Sequence, residues 1–272
     1  MDRRVFLKTC ALFLLAKGVS ANGNIRFLEA PAKASPNVEL DANHQRPTAS
    51  GDVRLLDADK PIFQSVLSRF SRIQATVGYG NFCLLGFDES LKIARSYPRV
   101  GRFTQRELAF LEKVFHTDAR TYGFLGNKTF NKLTDTVAAS TAKKIPGTGN
   151  YLFKGRSQTL YQRIKKDIGD QVVLTAGIRG MAKQIYLFLG KVSRTDGNLS
   201  LAAHALAPPG YSYHGVGDFD VGQVGFGVAN FTERFSQTRV YQKISQLDYI
   251  VFRYPRRNGV GVQFEPWHIQ VV

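Results

Sequence analysis

Two short stretches near the carboxyl end hold the residue types from which a catalytic metal centre can be built. In the first, Ala207-Pro208-Pro209-Gly210-Tyr211-Ser212-Tyr213-His214-Gly215-Val216-Gly217-Asp218-Phe219-Asp220-Val221-Gly222, a histidine is followed four and six residues later by aspartates, among glycines that permit sharp turns. The second, Phe264-Glu265-Pro266-Trp267-His268, carries another histidine with a glutamate three residues before it. Two imidazoles, one carboxylate and a separate glutamate are what a hydrolytic zinc site requires: three protein ligands, an open position, and a base beside it. Singly, these residues have plainer readings. A Trp-His pair near a chain end is ordinarily core, and Asp218 or Asp220 could simply close a turn.

A third block lies upstream, Leu174-Thr175-Ala176-Gly177-Ile178-Arg179, with Gln184 five residues after the arginine. The three blocks, in this order, resemble those of the zinc D-alanyl-D-alanine carboxypeptidase family, which includes the vancomycin-resistance carboxypeptidases and dipeptidases. The pattern has an Ala-Pro-Pro-Gly approach, a Ser-x-His core ending in an aspartate, and a late Glu-Pro-Trp-His; here it spans roughly residues 150–272. The resemblance implies a single zinc ion held by His214, Asp220 and His268, with Glu265 as general base. It implies that Arg179 stabilises the developing oxyanion or holds the substrate carboxylate, and that Ser212 and Gln184 serve substrate binding. One departure bears on the metal. The family's aspartate usually falls seven residues after the first histidine, whereas Asp220 falls at six and Asp218 at four. Asp220 is the better ligand because Val221-Gly222 follows it, with Asp218 as the alternative. The alanine usual two residues before that aspartate is also absent, which alters the pocket wall.

These side chains must be carried by elements that bring the two ends of the segment together. The resemblance implies an α+β fold of the hedgehog-like zinc peptidase type, an antiparallel sheet with packed helices and the zinc in a cleft at the sheet. Periodicity places a helix over Gln158–Asp167, a strand over Val172–Ala176, a second helix over Ala182–Leu189, and a strand through the alternating Val260, Val262 and Phe264. In a regular strand Glu265 and His268 point to opposite faces, so Pro266 must bend the chain for both to reach one site. Trp267 is expected to pack beneath the His268 ring. Upstream, Ile62, Val66, Leu67, Phe70 and Ile73, then Leu108, Leu111, Val114 and Phe115, recur at helical spacing, and Thr104 with Glu107 reads as a capping box. A break at Ile145-Pro146-Gly147-Thr148-Gly149-Asn150 follows. The expected organisation is a helical domain of unassigned role over 51–143 and a zinc peptidase domain over 144–272.

At the other end, Met1-Asp2-Arg3-Arg4-Val5-Phe6-Leu7-Lys8, an apolar run from Cys10 to Ala16 and Val19-Ser20-Ala21 resemble a twin-arginine export signal over 1–21, leading into a proline-punctuated linker over 22–50. Of two cysteines, Cys10 falls in that signal, so Cys83 is left without an internal disulfide partner. His44, His116 and His204 fall outside any ligand cluster. The 272 residues carry a net charge of +16, which suits anionic wall or membrane polymers. Nucleic acid is not expected, because no basic run with interleaved aromatics occurs and export removes the protein from the nucleoid. The expected activity is removal of terminal D-alanine from peptidoglycan stem peptides in the periplasm or cell envelope. The alternatives are a peptidoglycan endopeptidase or L,D-carboxypeptidase on the same fold, and a non-catalytic, zinc-containing wall-binding protein.

Overall fold

The apolar stripe from Phe63 to Ile73 folds as helix α1 (Lys60–Val77), opened by a proline in its first turn and stopped by Gly78 at a φ of 82°. The computed structural model describes residues 51–272, so the export signal, the linker, Cys10 and His44 lie outside the described residues. Helices α2 (Tyr79–Leu84) and α3 (Phe87–Ser96) follow, then α4 (Gln105–His116). The expected capping box is present. Thr104 Oγ accepts from the Glu107 backbone N–H, and Glu107 Oε2 accepts from the Thr104 N–H. The Glu107 carboxylate also takes three hydrogen bonds from Arg69 on α1 and one from Ser65, locking α1 to α4 through a buried ion pair.

The glycine-rich stretch at Ile145–Asn150 forms the turn of a small hairpin between β1 (Ala142–Lys144) and β2 (Tyr151–Phe153). Beyond it come α5 (Arg156–Ile168), β3 (Val172–Ala176), α6 (Met181–Arg194), α7 (Leu199–Ala205), β4 (Phe219–Gln223), α8 (Arg239–Ile244), β5 (Val251–Tyr254) and β6 (Glu265–Gln270). The four later strands pair antiparallel in the order β3-β4-β6-β5. The fold is therefore α+β, an antiparallel sheet with helices packed around it. The two helices and the strand expected between residues 158 and 189 are present. The strand expected through Val260, Val262 and Phe264 is not: Gly259 and Gly261 adopt φ of 69° and 77°, which breaks the extended run and turns it into a loop, and β6 begins at Glu265. The side-chain alternation was real, but the backbone between the apolar residues is left-handed.

Strand alternation then sorts side chains to two faces. Phe219 and Val221 of β4, with Trp267 and Ile269 of β6, join Tyr161 and Ile164 of α5 and Val240 and Ile244 of α8 in one apolar core. Asp220 and His268 turn the other way. The second core joins Phe63, Phe70, Phe115 and Phe130 to Ile178, Ile185 and Phe188, so α1 to α4 and α6 share one apolar interior. No helix among the described residues is long and apolar enough to cross a membrane.

Burial pushes the Glu107 carboxyl up, but its hydrogen bonds to Ser65, Thr104 and Arg69 outweigh this and hold it below the ordinary glutamate value. A depressed carboxylate stabilises the fold above its unfolded pKa, and that contribution disappears as pH falls through the lower folded value. Glu107→Gln, which leaves Arg69 buried beside a neutral amide, is expected to cost about 3 kcal/mol at pH 7. In urea unfolding across a pH series, the gap between wild type and variant should close below about pH 4.

Candidate metal centre

The ladder between β4 and β6 places Asp220 directly opposite His268, which brings the two late blocks of sequence into contact. His214 reaches them from a short helical turn over Tyr213–Gly215 that opens at Ser212. His214, Asp220 and His268 are all buried, and each offers a donor atom within 4.8 Å of the others; they are the one such group of three among the described residues. His214 Nε2 lies 3.2 Å and His268 Nδ1 lies 3.4 Å from Asp220 Oδ1. Two ligands each about 2.0–2.1 Å from a tetrahedral zinc lie about 3.3 Å from one another, so these separations suit a common ion.

Three further observations test the fit. His214 Nε2 and Asp220 Oδ1 are buried and make no hydrogen bond among the described residues, an unfavourable state unless a cation completes them. His214 Nδ1 lies 2.8 Å from the Gly177 carbonyl oxygen, which can only accept. Nδ1 therefore carries the hydrogen and Nε2 presents its lone pair to the centre. Charge agrees with geometry. Burial, aided by the Arg179 cation, lowers the His214 pKa to about 4, the neutral form a ligand needs. Burial also pulls His268 down, but Asp218 and Glu265 hydrogen-bond it and Asp220 adds its charge, and together they raise it to about 9. A second proton on that ring and a cation at the centre answer the same excess of negative charge. The donor set of two nitrogens and a carboxylate oxygen suits zinc.

Glu265 lies beside the cluster, with Oε2 3.2 Å from His268 Nδ1. The bend expected at Pro266 takes the form of a bulge. Between paired positions, β5 advances from Phe252 to Tyr254 while β6 covers Glu265 to Ile269, two residues against four. The slip lets Glu265 and His268 reach one place, and burial raises the Glu265 carboxyl above its ordinary value. Trp267 packs into the core on the opposite face, against Phe231, and not beneath His268 as expected; the ring against His268 is that of Tyr254, 4.9 Å away.

Arg179 Nη2 donates to Asp220 Oδ2 at 2.7 Å, so the arginine of the upstream block meets the carboxylate of the middle one. Burial pushes Asp220 up, and the Arg179 guanidinium beside it outweighs this and holds the carboxyl below its ordinary value. The Arg179 turn is tightly held. Gly177 sits where a Cβ would strike the Tyr151 carbonyl oxygen, Gly180 N–H donates to Cys83 O at 2.7 Å, and Ala182 N–H to Leu85 O at 3.1 Å. Gln184 donates from Nε2 to Arg179 O at 2.8 Å and accepts at Oε1 from Gly210 N–H at 2.9 Å. Both ends of that amide serve backbone, joining the Arg179 turn to the approach to His214. Ser212 is buried at the start of the His214 turn. Asp218 stands outside the donor cluster, on the far side of the His268 ring with Oδ2 3.2 Å from Nε2, and it is paired with Arg253. Arg253 and Tyr254 escaped the sequence reading, because β5 carries no motif. His116 packs on Phe115 and stays apart from the centre.

A buried centre of two imidazoles and a carboxylate, with a glutamate alongside and set on an antiparallel sheet, is the kind found in metal-dependent hydrolases. Residues 154–272 match the family model described as VanY, D-alanyl-D-alanine carboxypeptidase, so the resemblance read from the three blocks holds over that part of the chain. Among solved structures, the chain is similar to VanYB in complex with D-alanine-D-alanine at 23% identity, over 54% of this chain and 84% of that one, with a TM-score of 0.39. It is similar to the LdcB LD-carboxypeptidase at 22% identity, over 54% and 66%, with a TM-score of 0.38. It is similar to the vancomycin-resistance D,D-dipeptidase VanXYg at 21% identity, over 56% and 62%, with a TM-score of 0.38. No curated protein matches the chain.

Because Gln184 satisfies two buried backbone groups, Gln184→Ala is expected to lower stability by about 2 kcal/mol, read as a shift in the thermal midpoint. Gln184→Glu keeps an acceptor for Gly210 but sets a buried carboxylate oxygen against the Arg179 carbonyl, and at pH 7 should cost at least as much as the alanine variant.

Proposed function

We propose that this protein is a zinc-dependent D,D-carboxypeptidase, with one zinc ion per chain, that removes the terminal D-alanine from peptidoglycan stem peptides in the cell envelope. The observation that carries this reading is the convergence of His214 Nε2, Asp220 Oδ1 and His268 Nδ1 on one buried point with Glu265 alongside. The match of residues 154–272 to the D-alanyl-D-alanine carboxypeptidase model supports the substrate class. The twin-arginine pattern over 1–21 supports export, and the net charge of +16 favours residence among anionic wall polymers.

When bound, zinc would supply Lewis acidity at the scissile carbonyl and bring the pKa of an attacking water to about 7. Glu265 is the group that takes a proton during attack and returns it to the departing amine of D-alanine. Its place in a buried site, next to His268, keeps that proton within the reacting assembly. Arg179 fixes Asp220 through one of its five N–H donors, and the remaining capacity of the guanidinium serves the developing oxyanion or the substrate carboxylate. Ser212, on the turn that carries His214, adds a hydrogen bond to that carboxylate.

The test is release of D-alanine from a peptide ending in D-Ala-D-Ala by the zinc-loaded mature protein, beside Glu265→Ala and His214→Ala. Glu265→Ala is expected to retain near-stoichiometric zinc and to lose about 10²–10⁴-fold in kcat. His214→Ala should lose the metal itself. Zinc uptake with release only from L,D-linked or cross-linked peptides would replace the substrate while keeping the chemistry, and a wild-type protein that takes up no zinc overturns the reading.

A further inference from the structure

We propose that Asp218, held in place by Arg253, is the positioning residue that turns the His268 ring so that Nδ1 faces the metal position; this rests on the zinc reading above. Asp218 immediately precedes β4 and lies two residues before Asp220, so both carboxylates leave the chain toward the same face. The His268 ring stands between them. Its Nδ1 is 3.4 Å from Asp220 Oδ1, and its Nε2 is 3.2 Å from Asp218 Oδ2. An imidazole that gives one nitrogen's lone pair to a metal carries its hydrogen on the other, and when buried that N–H needs an acceptor. Asp218 is that acceptor. Rotating the ring by half a turn would put carbon atoms where both nitrogens now sit, so the same contact that holds the Nε2 hydrogen also selects the ring orientation.

Asp218 is fixed by its other bonds. Its Oδ2 accepts from Arg253 Nε at 2.7 Å, and its Oδ1 accepts from Arg253 Nη2 at 3.1 Å and from the Val271 N–H at 2.9 Å. The Arg253 guanidinium lies 4.0 Å over the ring of Tyr213, the residue before His214. One cation thus ties the turn bearing the first histidine to the carboxylate that orients the second. Tyr254 and His214 close against the two remaining sides of the His268 ring, with centroids 4.9 Å and 4.7 Å away.

Asp218→Asn tests the proposal. The amide has the size of the carboxylate, but turned one way it donates toward His268 Nε2, and turned the other way it opposes the Val271 N–H and the Arg253 guanidinium. Zinc affinity is measured on the mature chain against a chromophoric chelator, with thermal unfolding of the zinc-free protein as a control on the fold. A second variant, Asp218→Asn with Arg253→Met, removes the cation that the first leaves unpaired. The expected result is a loss of zinc affinity of about 10–100-fold in both variants, persisting in the double variant where its unfolding midpoint returns to the wild-type value. Affinity within threefold of wild type in both, or recovery of affinity in the double variant, overturns the proposal while leaving the zinc reading intact. A wild-type protein that binds no zinc overturns the zinc reading and this proposal with it.

Discussion

The site is organised by an excess of buried negative charge. Asp218, Asp220 and Glu265 are each almost wholly withdrawn from water, within reach of two buried histidines. Isolated carboxylates in such a place are costly, and each has found a compensating cation or donor. Arg179 answers Asp220 and Arg253 answers Asp218, while Glu265 meets the His268 ring and has its carboxyl raised by burial. Beside them, His214 Nε2 and Asp220 Oδ1 stand without hydrogen bonds among the described residues. A divalent cation there would satisfy both atoms and offset the buried carboxylates.

Two irregularities in the sheet make this concentration possible. A regular β6 would send Glu265 and His268 to opposite faces; the bulge across Pro266, which has no N–H to give to a ladder, returns them to one. On the other side of β4, β3 slips by one residue between Leu174 and Ala176, and Asn150 Nδ2 donates to the Thr175 carbonyl exposed by the slip. The strand therefore leaves its ladder just before the Gly177–Arg179 turn. From that turn, the Gly177 carbonyl reaches His214 and the Arg179 side chain reaches Asp220. The bulges cost local pairing in the sheet and yield a convergence that regular strands cannot produce.

The residues that meet in the candidate centre were legible in the sequence because metal ligation and proton transfer, the chemistry their pattern suggests, restrict residue type severely. His214, Asp220, Glu265 and His268 stand in blocks that few other functions would assemble in that order. The capping box at Thr104 and the strand over Val172–Ala176 were legible for a similar reason, since each depends on local pattern alone. Asp218 was harder. Spacing shows that a carboxylate lies near the histidine, but which side of the ring it takes is decided by Arg253 and Val271, and neither carries a signal. The resemblance implies a substrate role for Gln184, and the hydrogen bonds of its amide to two backbone groups, which only the folded chain brings together, carry no signal in the sequence. The loop at Val260–Phe264 misled because apolar alternation reports on side chains, while Gly259 and Gly261 set the backbone.

The region before residue 144 lies outside the family match, yet it holds the site in place through backbone carbonyls and a few side chains. Cys83 and Leu85 give their carbonyls to the N–H groups of Gly180 and Ala182, which pins the turn immediately after Arg179. Thr129 Oγ donates to the carbonyls of Gly210 and Ser212, the Phe130 N–H donates to Gly210 O, and the Phe130 ring fills the space against Gly215, where a Cβ would collide with it. The segments that carry Arg179 and His214 are thus fixed from the same side, by residues whose own side chains have no part in the chemistry. Carbonyl acceptors leave no trace in residue type, so the sequence presents this region as a separate helical unit. The shared apolar interior from Phe63 to Phe188 makes it the frame against which the residues of the candidate centre are registered. A shift of a helix in that frame would move Arg179 and His214 relative to His268, which is carried by the sheet. The geometry of the centre therefore depends on the packing of α2 against α6 as much as on the strands that bear its ligands.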